Sequence, residues 1–197
     1  MLFRSAWSAW RRTRLSRMSA DERASLASYA HDAVRGMVRS DADLERRAIG
    51  KERSGRPGSA MEELLGELLE SRGLSVVHQK AVGKYNIDLA VEGTVAVEVS
   101  GRPKKGANLA RIPKRVKYLG DAGWSMVVVW SNTQRHPVTE ECAEYVVSFL
   151  DELRRDPALV GEYRVVRGGG EFIARGRMDD DDIPFVLSPV GNLHIGS

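Results

Sequence analysis

At 197 residues, with 42% apolar side chains, the chain is long enough for one domain with a real core plus extensions. No apolar run reaches the ~18 residues that a helical membrane span needs. The single cysteine, Cys142, excludes a disulfide within the chain and a cysteine-based zinc site, and favours a reducing, cytoplasmic setting. Net charge is +3, yet residues 1–60 alone carry +6. A basic arm on a near-neutral body is a common layout for nucleic-acid binding; the competing reading is a solvated, poorly ordered tail.

The N-terminal stretch has Arg4, Arg11, Arg12, Arg14 and Arg17 around Trp7 and Trp10. It lacks a continuous apolar segment, so it does not read as a secretory signal. Residues 19–35 read as a helix, with Ser19 as N-cap and Asp21 and Glu22 in the first turn. Ser40 opens a second helix, Asp41 to about Ile49, ended by Gly50. The two units repeat an acidic start, basic residues and a glycine at a spacing of 21 residues. Neither has a broad apolar stripe, so each is expected to dock on something or to stay mobile. Arg35, Arg39, Arg46 and Arg47 are the arm's expected phosphate contacts.

Residues 51–58 combine charge, Gly and Pro and read as a linker, which predicts a basic helical arm over 1–58. Ser59 and Glu62 form a capping box. The helix it opens carries Met61, Leu64, Leu65, Leu68 and Leu69 on one face. Leu74 to Gln79 is a first strand, with Gln79 a strand-edge residue near the next feature. Tyr85–Val91 and Val95–Ser100 then read as a hairpin turning at Glu92-Gly93. By period 2, Tyr85, Ile87, Leu89 and Val91 share one face, while Asp88 and Glu98 share the other, with Ser100 just beyond. Carboxylates in strands this apolar are costly without a partner, and a divalent cation is a natural one for a pair. The competing reading is two solvated acids on an outer sheet face.

Gly101–Gly106 is a basic loop containing Arg102, Lys104 and Lys105. A helix from about Asn108 to Leu119 carries Arg111, Lys114, Arg115 and Lys117, with Pro113 in its first turn. Trp124–Trp130 is an unbroken apolar strand expected to be buried on both faces. Thr139 caps a helix through Arg155 with a stripe of Cys142, Val146, Phe149, Leu150 and Leu153. Residues 163–174 read as accessory strands, and 178–197 as an acidic, mostly irregular tail. His31, His78, His136 and His194 have no metal-ligand spacing, and neither a P-loop nor a dinucleotide fingerprint is present. The sum is an α/β (α+β) chain: a mixed sheet flanked by helices over 59–177, with a helical N-terminal arm.

This order, with Glu62 in the first helix, Asp88 in the second strand and Glu98 in the third, resembles the PD-(D/E)XK nuclease superfamily, with its restriction-endonuclease-like sheet. It looks most like the branch holding very-short-patch mismatch repair and related homing endonucleases. The segments from Ser59 to Val99, and Asp121-Ala-Gly-Trp124 leading into Val127–Val129, carry the likeness over about residues 59–155. The N-terminal repeat is similar to the modular DNA-binding repeats attached to intron-encoded endonucleases, which suits a phage or mobile-element origin.

The resemblance implies a Mg²⁺- or Mn²⁺-dependent endonuclease acting on double-stranded DNA. Asp88 and Glu98 would be metal ligands, the Val99 carbonyl would complete the shell, and Glu62 would hold metal or a metal-bound water. Arg102, Arg111, Lys114 and Arg115 would touch DNA. Where the superfamily often has Lys two residues after the second carboxylate, this chain has Ser100. The Trp and His expected in the following loop are also missing. Lys104 or Lys105 would then supply the charge-stabilising role; otherwise the chain is a DNA-binding protein that kept the fold without cleavage. Glu62 has a second explanation, since the capping box alone accounts for it. A third reading is an interaction module with no nucleic acid. A palindromic target would imply a homodimer.

Overall fold

The computed structural model describes residues 16–34, 39–101, 112–131 and 135–180. Arg35, Arg102, Lys104, Lys105, Arg111 and residues 181–197 of the expected tail lie outside them. The chain divides into two units, between Ser40 and Asp41. In the first, helix α1 runs from Ala20 to Val34. Its N-terminus is a reciprocal box: Glu22 N–H donates to Ser19 Oγ (3.2 Å) and Ser19 N–H to Glu22 Oε2 (2.7 Å). Within that unit Leu26 and Tyr29 are exposed, as expected of a helix without an apolar stripe.

The second unit holds helices α2 (Asp41–Ser54), α3 (Ala60–Glu70), α4 (Ile112–Asp121) and α5 (Glu140–Arg155). Its six strands are β1 (Val76–Val82), β2 (Tyr85–Val91), β3 (Val95–Ser100), β4 (Ser125–Trp130), β5 (Glu162–Arg167) and β6 (Phe172–Arg177). They form one mixed sheet in the order β1-β2-β3-β4-β5-β6. The first three are antiparallel neighbours, β3, β4 and β5 are parallel, and β6 returns antiparallel to β5. Residues 162–177 are thus a continuation of the sheet beyond β4.

The apolar stripes land where their spacing puts them. Leu65 and Leu69 of α3 and Val146, Phe149 and Leu150 of α5 pack on one sheet face, against Leu89, Val91, Val95, Val97 and Val127. Ile112, Val116 and Leu119 of α4 cover the other, against Ala90, Ala96, Met126 and Val128. Burying these side chains is the main stabilising term, about 1.5–3 kcal/mol for each large one. Pro113 sits in the first turn of α4, where its missing N–H removes no helical bond. The Glu92-Gly93 turn has φ of +51° and +67°, and Thr94 N–H donates to the Val91 carbonyl, the signature of a I′ hairpin.

One buried charge cluster lies away from the carboxylates of interest. Arg164 is held between Glu162 (2.7 Å) and Glu152 (2.5 Å), 4.2 Å from the centre of the Phe149 ring. Burial lowers the affinity of Arg164 for its proton, and the hydrogen bonds to Glu152 and Glu162 more than restore it. The guanidinium is therefore charged and paired, a structural network joining β5 to α5.

Two expectations are corrected. The linker foreseen at 51–58 begins inside α2, which runs unbroken through Ser54 and docks on the sheet. It has no apolar stripe to bury, so polar contacts attach it. Glu52 takes Lys80 Nζ (2.8 Å) and Ala81 N–H (2.9 Å), and the Ala48 carbonyl takes Asn86 Nδ2 (2.9 Å). The first strand starts and ends later than Leu74–Gln79, because Gly83-Lys84 forms the hairpin turn after Val82. Lys80 is a strand residue paired with Glu52, and Lys84 pairs with Asp41 at 2.8 Å.

Candidate functional site

The alternation of faces along β2 breaks at Asp88. Leu89 and Val91 lie on the α3/α5 side, but Ile87 packs with Ala90 and Ala96 on the α4 side. Strict period 2 puts Ile87 with Leu89, so that part of the sequence reading is corrected. The cause is opposite on β1: Gln79 has φ +53° and drops out of a ladder that pairs His78 with Leu89 and Lys80 with Ile87. A left-handed residue in mid-strand turns both strands over.

The backbone groups released by this break are caught by side chains. Asn86 Nδ2 donates to the Gln79 carbonyl at 2.7 Å. Val99 N–H donates to Asp88 Oδ2 at 3.1 Å, beyond the last paired residues Leu89 and Val97 of the β2–β3 ladder. These two bonds help hold the special backbone conformation of the break.

Into it projects Glu62, from the first turn of α3. Ser59 Oγ accepts Glu62 N–H and donates to Glu62 Oε1, both at 3.2 Å. Gly58 N–H donates to Glu62 Oε2 at 2.6 Å. A Cβ at position 58 would stand 2.8 Å from both carboxylate oxygens, so a larger residue there would displace the Glu62 carboxylate. Glu62 is thus both a cap and a member of a buried polar cluster.

Gln79 links the cluster. It is fully buried, and its Nε2 donates to Glu62 Oε2 (2.8 Å) and Asp88 Oδ1 (3.4 Å). Its Oε1 is buried with no hydrogen-bond partner. Burial first, and the Asp88 charge second, raise the Glu62 carboxyl above its ordinary pKa, and the bonds from Gly58, Ser59 and Gln79 only partly offset this.

Glu98 is buried but faces another partner. Arg115 from α4 donates through Nη2 to Glu98 Oε1 and to the Asn86 carbonyl. Burial alone would lower the Arg115 pKa; the charges of Glu98 and then Asp88, with the hydrogen bond to Glu98, raise it instead. Glu98, Ser100, Arg115, Val116, Met126 and Val128 line a cavity of about 40 Å³. A larger hollow of about 230 Å³ lies by the Glu92-Gly93 turn. Its Arg154–Glu92 pair, at 3.7 Å and partly exposed, is an ordinary surface contact.

The structure thus brings Glu62, Asp88 and Gln79 together and pairs Glu98 with Arg115. Gln79, read as a strand-edge residue near the carboxylates, lies on the edge strand β1 and beside them, and is fully buried. Its strand carries His78, Gln79 and Lys80 in succession, so the local sequence does not single out the glutamine. Among the described residues, no group of three or more His, Cys, Asp or Glu side chains is arranged to hold a metal. The donors that suit a hard cation are two carboxylates, Glu62 and Asp88, with the buried Gln79 amide between them. Arg39, Arg46, Arg47 and Lys114 are exposed, and Arg46 is paired with Asp43. No described helix is long and apolar enough to cross a membrane. Comparison with family models, curated proteins and solved structures returns no match for this chain.

Proposed function

We propose that the chain is a Mg²⁺- or Mn²⁺-dependent endonuclease with a restriction-endonuclease-like sheet, acting on double-stranded DNA. One observation carries the reading: Glu62 and Asp88, from separate elements, converge on one buried amide where the sheet is broken. Two carboxylates close enough to raise one pKa are unfavourable as a packing device and suited to a cation.

Glu62 and Asp88 would hold the ion, with the Val99 carbonyl completing the shell. When bound, the ion supplies polarisation of a phosphate oxygen and a more acidic water. Glu62 would orient that water and could accept its proton. Arg115 adds positive charge beside Glu98 and Asp88, in the role expected of Lys104 or Lys105, and would steady charge growing on the phosphate. Arg39, Arg47 and Lys114 contact backbone phosphates without reading sequence.

The second reading is a DNA-binding protein that has lost cleavage. It draws on the Arg115–Glu98 pair, which occupies a carboxylate that the nuclease pattern would leave for metal. Incubation of the chain with supercoiled plasmid and Mg²⁺ or Mn²⁺ decides between them, beside Asp88→Asn and an EDTA control. Metal-dependent nicking lost in the variant supports the nuclease. DNA binding without cleavage, on randomised targets as well, supports the second reading, and neither binding nor cleavage rejects both.

A further inference from the structure

We infer that the cation is held by Glu62, Asp88 and the side-chain oxygen of Gln79, and that Glu98 is not among its ligands. The inference rests on the cation-dependent reading above and changes its ligand set. Its basis is the amide. Gln79 is fully buried, its Nε2 spans Glu62 and Asp88, and its Oε1 has no partner. A buried amide oxygen left unpaired costs on the order of 1–3 kcal/mol. The left-handed backbone that positions this side chain costs a similar amount. Packing does not repay either cost, since an apolar side chain in an ordinary strand would pack without them.

The end of a glutamine side chain has two nearly equivalent orientations, related by a half-turn about its last bond. With Nε2 inward, the amide hydrogen-bonds two carboxylates. With Oε1 inward, it presents an oxygen in nearly the same place. A hard divalent cation between Glu62 and Asp88 would reward that turn, because it takes oxygen ligands and repels N–H groups. The outward Oε1 has no partner, so no hydrogen bond there holds the amide in its present orientation. Gln79 thus holds the carboxylates together and can also coordinate.

Glu98 is excluded by its own partner. Arg115 Nη2 bridges Glu98 and the Asn86 carbonyl. Turning Glu98 to a cation would leave a largely buried guanidinium without its counter-charge beside a new positive ion. Breaking a buried pair in this way is strongly unfavourable. Glu98 instead anchors Arg115 and is a positioning residue.

The test is Mn²⁺ binding by the full-length chain, followed by the loss of the free-ion electron paramagnetic resonance signal and independent of cleavage. Wild type is compared with Gln79→Met, Gln79→Glu, Glu98→Gln and Asp88→Asn. The expected result is a loss of about tenfold or more in affinity for Gln79→Met and Asp88→Asn. Gln79→Glu, which keeps an oxygen but has no N–H, binds at least as tightly as wild type. Glu98→Gln, which leaves Arg115 without its counter-charge near the ion, loses affinity, but clearly less than Asp88→Asn does. Wild-type affinity in Gln79→Met overturns the inference and leaves the cation reading intact. So does a loss in Glu98→Gln as large as in Asp88→Asn. Weaker binding by Gln79→Glu would mean that the N–H donors matter, and overturns it even if the methionine variant fails to fold. No Mn²⁺ binding by folded wild type removes the cation reading and this inference together.

Discussion

The Asp88 carboxylate accepts the backbone N–H of Val99 at 3.1 Å, standing in for a strand partner where the β2–β3 ladder has ended. Asp88 therefore has a structural role beside the one proposed for it, and its variants separate the two. Asp88→Asn keeps an oxygen for Val99 N–H and is expected to fold normally while losing cleavage. Asp88→Ala orphans that donor and should lower unfolding free energy by about 1–3 kcal/mol. Urea denaturation of both variants beside the plasmid assay checks this; equal stability of the two would refute the structural role.

Glu62→Gln should trade function for stability. The native state holds the Glu62 proton more tightly than the unfolded chain does, because of burial and then the Asp88 charge. A raised acid makes the native state lose stability as pH rises through the shifted pKa and regain it as pH falls. Glu62→Gln removes that opposing term and still offers an acceptor to Gly58 N–H. It should gain about 1 kcal/mol at neutral pH, with the gain shrinking in acid, and cleave no DNA. Melting temperatures of both proteins across a pH series provide the check.

Attachment of α2 should weaken in acid. The hydrogen bond from Lys80 and then that from Ala81 N–H lower the Glu52 pKa below its ordinary value of 4.5. A depressed acid stabilises above its ordinary pKa and loses that contribution as pH falls through the shifted value. The Lys80–Glu52 pair is partly exposed, so the term is about 1 kcal/mol or less. Hydrogen exchange of α2 amides should accelerate relative to α5 below about pH 4. Glu52→Gln should show the faster exchange already at neutral pH.

Cys142 should be inert in the native protein. It is fully buried on the core-facing side of α5, and burial pushes its thiol up to about 12. At pH 8 it is neutral and unreachable, so iodoacetamide labelling should wait for unfolding and follow its rate. Rapid native labelling would mean that α5 opens locally.

Much of the fold is visible in short windows of the chain. Ser19 with Glu22 and Ser59 with Glu62 mark helix starts because a side-chain oxygen and a backbone N–H three residues on meet in one turn. Leu65 with Leu69, and Val146 with Phe149 and Leu150, mark buried faces because helical spacing stacks them. Glu92-Gly93 marks the hairpin because both positions need positive φ. None of these depends on residues far along the chain.

What separates strand from site does. Asp88 and Glu98 stand out as costly charges from their apolar neighbours alone, but their partners come from 9 to 26 residues away. Gln79 reaches Asp88 across a reversed ladder, Glu62 arrives on a helix, and Arg115 arrives on another. The left-handed turn at Gln79 has no local signature, because glutamine adopts it only where Asn86 and the surrounding strands hold it. The docking of α2 through Glu52 is equally remote from its own sequence. Composition and periodicity determined which segments are helix or strand and which acids are expensive, because those are nearest-neighbour properties. Only the tertiary structure decided which acids share an amide and which one is neutralised, because long-range geometry sets the energy of a buried charge.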